Sequence, residues 1–379
     1  MLLNQNHGQA SAVAGAIAGA VLSIDLGALR DNYLFLRQKL LGATCGAAVK
    51  ADGYGLGALQ VARTLVQAGC RDLFVAHLEE GIALRPHFSA DVAIYIMHGA
   101  PVGCEADVLA HGCIPMLNSL PQITAWRDLA LQKGMRLPAV LQVDTGMARM
   151  GLAADEVAAC VANPDLLSGF DLLFLMSHLA CAEDQAHVMN LQQLHAFKTL
   201  RQQLPACRAS LCNSSGIFLG EDFHFDLARP GIALYGGAPV AGQANPMRSV
   251  VRLQGRIIQT RQIPAQTSVG YSATWRSQKP STIATVAVGY ADGWLRSLSN
   301  RGVAFIAGTE VPMVGNVSMD TITLDVTEIA PEHVHPGALV DLISAENPVD
   351  KVAQRAGTIS YEILTSLGAR YHRHYIEAN

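Results

Sequence analysis

Cys45-Gly46-Ala47-Ala48-Val49-Lys50-Ala51-Asp52-Gly53-Tyr54-Gly55-Leu56-Gly57 decides how this chain is read. A short apolar run closes on a lysine and passes into a loop with glycines at 53, 55 and 57. The chain has six lysines, at 39, 50, 133, 198, 279 and 351, and only Lys50 ends a strand-like apolar run. An amine at the mouth of a parallel sheet loses hydration. That lowers its pKa and makes available the neutral amine that Schiff-base chemistry requires. The plainer alternative is a strand-end lysine whose head reaches solvent. What the neighbouring strands end in decides between the two.

Outward from this stretch the pattern repeats. Val21–Leu26 reads as an opening strand and Asp31–Leu41 as a helix. After the Lys50 strand come strands over 73–77, 92–97, 114–118, 139–144, 172–178, 209–213 and within 225–235. Helices are expected between them, over 59–68, 78–84, 102–110, on to Lys133, 155–161 and 183–204. Eight short apolar strands alternating with helices over about 200 residues predict a parallel (β/α)8 TIM barrel, with a doubly wound open sheet as the alternative. No G-x-G-x-x-G opens a helix after the first strand, which counts against a dinucleotide enzyme. Beyond Ala238 a turn-rich linker leads into β-like runs at 250–263, 281–288, 302–307, 311–326 and 338–343, with short helical patterns near 349–356 and 361–367. The expected division is an N-terminal extension over 1–20, a barrel over 21–238, and a mainly β domain over 239–379 that also takes the opening strand near 21–26.

Half the residues are hydrophobic and 15% are charged, which suits a buried globular core and argues against disorder. A net charge of -4 with scattered basic residues gives no footprint for nucleic acid or an anionic membrane. The eight cysteines include no Cys-x-x-Cys and read as free thiols in a reducing cytoplasm. Ala10–Leu22 is small and apolar, but the first basic residue is Arg30, so the pattern of a secretion signal is missing. It is also too short to span a membrane.

In a barrel of this kind chemistry lies at the C-terminal ends of the strands. The polar residues there are Lys50, Tyr54, His77, Asn118, Asp144, Arg149, His178, Asn213, Ser214 and Arg229. The set lacks the carboxylate pair of a glycosidase and the acidic cluster of a magnesium site. A lysine among cations points to an anionic ligand held covalently. Asn213-Ser214-Ser215-Gly216 and Arg229-Pro230-Gly231-Ile232 follow the last two strands, where barrels bind phosphate through backbone N–H groups. Each alone is equally an ordinary turn, with Asn213 and Ser214 as caps. Together with Lys50 they describe a pyridoxal phosphate pocket.

The chain resembles the alanine racemases, fold-type III pyridoxal phosphate enzymes, from about Val21 to Ile376. The resemblance is carried by AVKADGYGLG at 48–57, DTGMARMG at 144–151, SHLA at 177–180, NSSG at 213–216, RPGIALYG at 229–236, VGYSATW at 269–275, VGYADGW at 288–294, VSMD at 317–320 and SYE at 360–362. Nine motifs in order make it specific. It implies that Lys50 holds the cofactor aldehyde and serves as one base, with Tyr271 as the other, one on each face of the substrate. A phenol with a reference pKa of ~10 then needs help from its surroundings. His178 would lie behind the cofactor ring. Arg149 would contact the cofactor and the substrate carboxylate, and Met319 would offer its backbone N–H to the same carboxylate. Tyr54, Ser214, Gly231, Ile232 and Tyr361 would hold the phosphate, with Asn213 in the cofactor-binding set. Arg229 would donate to the pyridine nitrogen, limiting the ring as an electron sink, where the related decarboxylases carry a glutamate. Tyr290 and Tyr361 would narrow the entrance to suit alanine. The resemblance also implies a homodimer in which Tyr271 comes from the partner subunit. The reaction would interconvert L- and D-alanine, for peptidoglycan supply or for D-alanine breakdown.

Two positions depart from the pattern. Gln142 stands where many members carry a carbamylated lysine bracing the arginine, so Arg149 is expected to be oriented by Gln142, an anion or water. Ser318 stands where some relatives have cysteine. No metal is assigned to the His333/His335 or His372/His374 pairs, which have no third ligand nearby in sequence. Asp52 reads as a turn residue. A non-catalytic pyridoxal phosphate carrier is the alternative, but the β tail with Tyr271 argues against it. A racemase for other amino acids is the third reading, against which Tyr361 weighs.

Overall fold

The structure is a computed structural model and describes residues 17–377. These form two compact units, one of residues 29–247 and one of residues 17–28 with 248–377. Of the expected extension over 1–20, residues 1–16 lie outside the described residues, and Ala20, fully packed, already opens a strand.

In the first unit seven strands pair in parallel and in chain order. They are Ala47–Ala48, Asp72–Val75, Ala93–Ile96, Ile114–Leu117, Leu137–Gln142, Phe170–Met176 and Arg208–Ser210. The eighth, Leu227–Ala228, pairs in parallel with Thr44–Cys45 at the head of the first. Backbone bonds join it to both neighbours. Asp226 N–H donates to Ala209 O (3.0 Å) and Arg229 N–H to Cys212 O (2.9 Å) on one side. Gly46 N–H donates to Ala228 O (2.9 Å) and Ala48 N–H to Pro230 O (2.9 Å) on the other. The ring of eight is thereby closed, and the (β/α)8 expectation holds. Its strands read as near-continuous apolar runs because both faces are covered. Phe74 stacks on Tyr95 at 4.8 Å and Tyr95 meets Phe174 edge-on at 5.2 Å. A side chain at Gly46 would lie 2.7 Å from the Phe74 ring, so the first strand needs glycine there.

Several boundaries differ from the expectation. The first strand ends at Ala48 rather than at Lys50, which opens the turn Lys50–Gly55. The first helix spans Leu26–Lys39, five residues earlier than Asp31. The long helix is Val188–Gln203, because Glu183–His187 is spent in turns such as His187 N–H to Asp184 O.

The second unit is a mainly β sheet with strand order Thr309–Pro312, Val303–Ile306, Leu339–Ile343, Val251–Ile263, Ala20–Asp25, His372–Ile376. Ser281–Val286 joins Val251–Ile263 and Ile322–Asp325 antiparallel. Along Ala20–Asp25 the residues Ala20, Leu22 and Ile24 are buried and their neighbours less so, the period-two signature of a strand with one face on the core. The β run expected over 311–326 is broken between Pro312 and Ile322, and that gap holds the loop of Ser318 and Met319. The helix Val349–Ala356 lies where the pattern predicts, and Ser360–Ser366 within a residue of it.

Candidate active site

Lys50 begins a turn that no local preference explains. Ala51, Asp52, Gly53 and Tyr54 all have φ between 54° and 62°, a left-handed run in which only Gly53 is free of Cβ strain. Each of the others costs roughly 1–2 kcal/mol, so the surroundings must hold them. Gly53 N–H donates to Val49 O (2.9 Å) and Gly57 N–H to Asp52 O (2.8 Å). Asp52 Oδ1 accepts from Ala58 N–H (2.8 Å), the turn role expected for this residue. Glu80 Oε1 accepts from Ala51 N–H (2.5 Å), and the Tyr54 ring stacks on Tyr235 at 4.4 Å.

The Lys50 side chain lines a cavity of about 140 Å³ with His98, Gln142, Arg149, Met176 and His178. Burial lowers the pKa of the amine, the Arg149 charge lowers it further, and Glu80 opposes them. Arg149 rides on the loop after the fifth strand. Asp144 shapes that loop by accepting N–H bonds from Gly146 (2.9 Å), Met147 (2.9 Å) and Ala148 (3.0 Å). Gln142 is buried and donates Nε2–H to Met150 O (3.3 Å). It therefore braces the arginine through the backbone beside it.

His178 faces this cavity rather than bulk water. Its pKa is pushed down to about 3 by burial first, then by Arg229, Arg149 and Lys50. The ring is neutral, and Arg229 donates to its Nδ1 at 3.4 Å. Arg229 is buried and also donates to Ser177 O (2.6 Å) and to Ser210 Oγ. Desolvation lowers its pKa to about 10, so it stays charged near neutrality. Its Nε–H is buried with no protein partner, an orphaned donor that calls for an acceptor.

At the last two strands Ser214 Oγ accepts from Gly231 N–H (2.8 Å) and Ala233 N–H (3.2 Å). A Cβ on Gly231 would lie 2.1 Å from Tyr54 Oη, so glycine lets the phenol close over this loop. Asn213 Oδ1 caps the following turn through Gly216 N–H (2.9 Å), its plainer expected role. Ile232 is buried in the same loop.

The second unit holds four of the predicted residues, Tyr271, Tyr290, Met319 and Tyr361. Tyr271 is 71% exposed, on a turn whose carbonyl accepts from Asn316 Nδ2 (2.9 Å). Tyr290 and Met319, 44% and 53% exposed, are drawn together by Tyr290 N–H to Ser318 O (3.0 Å) and Ala291 N–H to Met319 O (2.9 Å). A Cβ at Gly289 would strike Met319 O at 2.3 Å. Arg370 ties the two turns, meeting Asp292 and Asp320 at 2.8 Å each. Tyr361 is partly exposed on the helix Ser360–Ser366.

Four supporting residues receive no role from the sequence, although Ser177 opens the SHLA motif. Gln193 is fully buried and joins His178 O (2.9 Å), Ala180 N–H (2.8 Å) and Thr145 Oγ1 (3.1 Å). Ser177 and Ser210 position Arg229. Glu80 has one retrospective clue, standing three residues after His77 as a capping glutamate does. No group of three metal-ligating side chains occurs among the described residues, and none of their helices is long and apolar enough to cross a membrane.

A barrel with a half-buried lysine of lowered pKa and a phosphate-type loop pair at strands seven and eight defines the class: a barrel fitted for a covalently held, phosphorylated cofactor. Known proteins give the family. The model described as alanine racemase, N-terminal domain, matches residues 24–239, and that described as alanine racemase, C-terminal domain, matches residues 250–375. The chain belongs to the alanine racemase family. It is 50% identical over 359 residues to the alanine racemase of Rhodospirillum rubrum, covering 94% of this chain and 96% of that one. It is 48% identical over 364 residues to the catabolic alanine racemase of Mesorhizobium japonicum, covering 96% and 95%. The crystal structure of alanine racemase from Bartonella henselae with covalently bound pyridoxal phosphate superposes with a TM-score of 0.92 at 44% identity, covering 95% of this chain and 100% of that one.

Proposed function

We propose that this enzyme, a pyridoxal phosphate-dependent alanine racemase, exchanges the Cα proton of alanine between two bases, Lys50 and Tyr271. The observation that carries the reading is the Lys50 amine, its pKa lowered by desolvation and by the Arg149 charge, in a cavity shared with Arg149 and His178. The residues present fit the cofactor. The orphaned Arg229 Nε–H matches a pyridine nitrogen as acceptor, and the Gly231 loop leaves room where a side chain would collide with Tyr54. When bound, pyridoxal phosphate supplies an electron sink that acidifies the substrate Cα–H.

Lys50 would hold the cofactor aldehyde and, once the substrate amine displaces it there, its freed amine would take or return the proton on one face of the substrate. Tyr271 does the same on the other face. Arg149 and the Met319 N–H would bind the carboxylate, while Tyr54, Ser214, Gly231, Ile232 and Tyr361 would hold the phosphate, with Asn213 shaping the same loop through Gly216 N–H. Tyr290 and Tyr361 restrict the space to a methyl side chain. Arg229 keeps His178 neutral, so that its ring packs without adding charge. Tyr271, Tyr290 and Met319 are exposed on their own unit, which supports a homodimer whose partner subunit supplies them. The cofactor region is the barrel expected over 21–238, and the β region over 239–379 brings the second base. All eight cysteines are unpaired, which supports a cytoplasmic site of action.

The test follows L-alanine in D₂O with purified enzyme and pyridoxal phosphate. Wild type is expected to lose optical activity to zero as deuterium enters Cα, and Tyr271→Phe is expected to do neither at a comparable rate. Deuterium entry in wild type with chirality retained would leave one face without a base and sink the role of Tyr271.

A further inference from the structure

Glu80 is the third residue of the helix Leu78–Leu84, which follows the second strand. Its Oε2 accepts from His77 N–H (3.0 Å), the ordinary work of a capping glutamate, and also from Ala76 N–H (2.7 Å). Its other oxygen leaves the helix altogether and accepts from Ala51 N–H at 2.5 Å. Ala51 directly follows Lys50 and opens the left-handed run. An ionised carboxylate taking three N–H donors makes charge-assisted bonds, stronger than neutral ones. The bond therefore lands where the backbone is costliest to hold.

The same device occurs a second time in the barrel. Glu156, at the third position of the helix Ala154–Ala162, accepts from Ala153 N–H (3.0 Å) and reaches Leu120 N–H (2.9 Å). Its far arm ends at the start of the helix Leu120–Lys133, which has no strained turn. The two glutamates share an architecture and differ in what they hold.

We propose that Glu80 is a positioning residue, whose carboxylate ties the left-handed turn bearing Lys50 to the end of the second strand and so fixes the direction in which the Lys50 amine enters the cavity. This rests on Lys50 being the amine that holds the cofactor. The charged and titratable groups acting at that amine are Arg149, His98, His178 and Glu80, with His77 packed on His98 at 4.6 Å. Glu80 alone among them carries negative charge, so it also moderates the depression of the Lys50 pKa.

Three variants of the full-length enzyme test this. In Glu80→Gln the amide has one acceptor oxygen, which stays with Ala76 and His77, and its NH₂ faces the Ala51 N–H. In Glu80→Asp the cap and the charge remain but the reach to Ala51 is lost. Glu156→Gln is the control for a merely structural tie. Both Glu80 variants are expected to lose about 100-fold in kcat, the scale of a small misplacement of a reacting group, with KM for alanine little changed. Hydrogen exchange at the Ala51 amide should accelerate in both. In cofactor-free protein the pH midpoint for acylation of Lys50 should fall in Glu80→Gln and stay put in Glu80→Asp. Glu156→Gln should lower the unfolding temperature and leave kcat alone.

Borohydride reduction of the cofactor-loaded wild type, followed by peptide mapping, separates the two levels of failure. A mark on a residue other than Lys50 overturns the proposed function. A mark on Lys50 with wild-type kcat in Glu80→Asp overturns the role of Glu80 alone, as does an equal kcat loss in Glu156→Gln. Should Glu80→Gln fail to fold, the Asp variant decides.

Discussion

Gly231→Ala tests the closure of the phosphate-type loop. The new methyl carbon would stand 2.1 Å from Tyr54 Oη and 2.9 Å from Cζ. Ordinary contact requires the phenol to retreat by about 1 Å, and overpacking of this kind costs about 1–3 kcal/mol. Tyr54 has little freedom to retreat. Its ring stacks on Tyr235 and its backbone belongs to the left-handed run. Disturbing the stack removes a further part of the roughly 0.5–1.5 kcal/mol such pairs contribute. Gly231 itself lies outside the left-handed region, so alanine meets no backbone penalty there, and its lower unfolded-state entropy returns about 0.4–1 kcal/mol. The net expectation is a loss of about 1–2 kcal/mol and a weaker hold on pyridoxal phosphate. Thermal unfolding and equilibrium titration with the cofactor measure both. Tyr54→Phe removes the offending oxygen, so the double variant Tyr54→Phe/Gly231→Ala should be less damaged than the two single losses added, by about 1 kcal/mol. Strict additivity, or a Gly231→Ala enzyme with wild-type cofactor affinity and unfolding temperature, would refute the collision.

Three further outcomes follow from the geometry. The folded-state pKa of His178 lies near 3, below its ordinary 6.5, so its neutral form favours folding above about pH 6.5 and that advantage is lost as pH falls toward 3. In cofactor-free protein, lowering the pH from 7 to 4 should cost wild type about 3 kcal/mol more stability than His178→Gln; parallel denaturant curves would contradict it. Arg370→Gln cuts the tie between the Tyr290 and Met319 turns and should raise KM for alanine with little change in stability, since the arginine is exposed; an unchanged KM would mean that backbone bonds hold the turns alone. In the native protein a thiol reagent should reach Cys104 and Cys181 first. Cys45, Cys70 and Cys212, buried and with raised pKa values, should react only after denaturation.

The sequence made the barrel legible because most strands in it are short apolar runs, and that signal is local. It also exposed Lys50, Arg149, His178 and Arg229 as polar residues at strand ends. It could not reveal the left-handed turn. Ala51 and Tyr54 have no preference for positive φ, and what holds them is Glu80 and Tyr235, distant in sequence. Gln193, Ser177 and Ser210 were equally hidden, since each works on a backbone carbonyl or on Arg229 from inside the barrel wall. The strand His372–Ile376 escaped because His-Arg-His-Tyr-Ile lacks apolar alternation, and its partial exposure shows why none is needed at a sheet edge. Gln142 was legible as a departure, and its bond to Met150 O supplies the brace that the missing lysine left open.

Strand Ala20–Asp25 lies between Val251–Ile263, antiparallel, and His372–Ile376, parallel. The order of synthesis makes that arrangement consequential. A ribosome releases this strand before the barrel exists, and its two partners come only after the barrel is made. Leu22 and Ile24, core residues in the finished sheet, must wait unpaired through that interval. The barrel's neighbouring strands pair in the order they emerge, whereas the β unit closes only on contacts of the longest separation, the slow kind. Its last strand, His372–Ile376, follows every other described element in chain order. A nascent chain can thus complete its lysine-bearing barrel on the ribosome, but the turns of Tyr271, Tyr290 and Met319 gain their finished sheet only once His372–Ile376 has emerged.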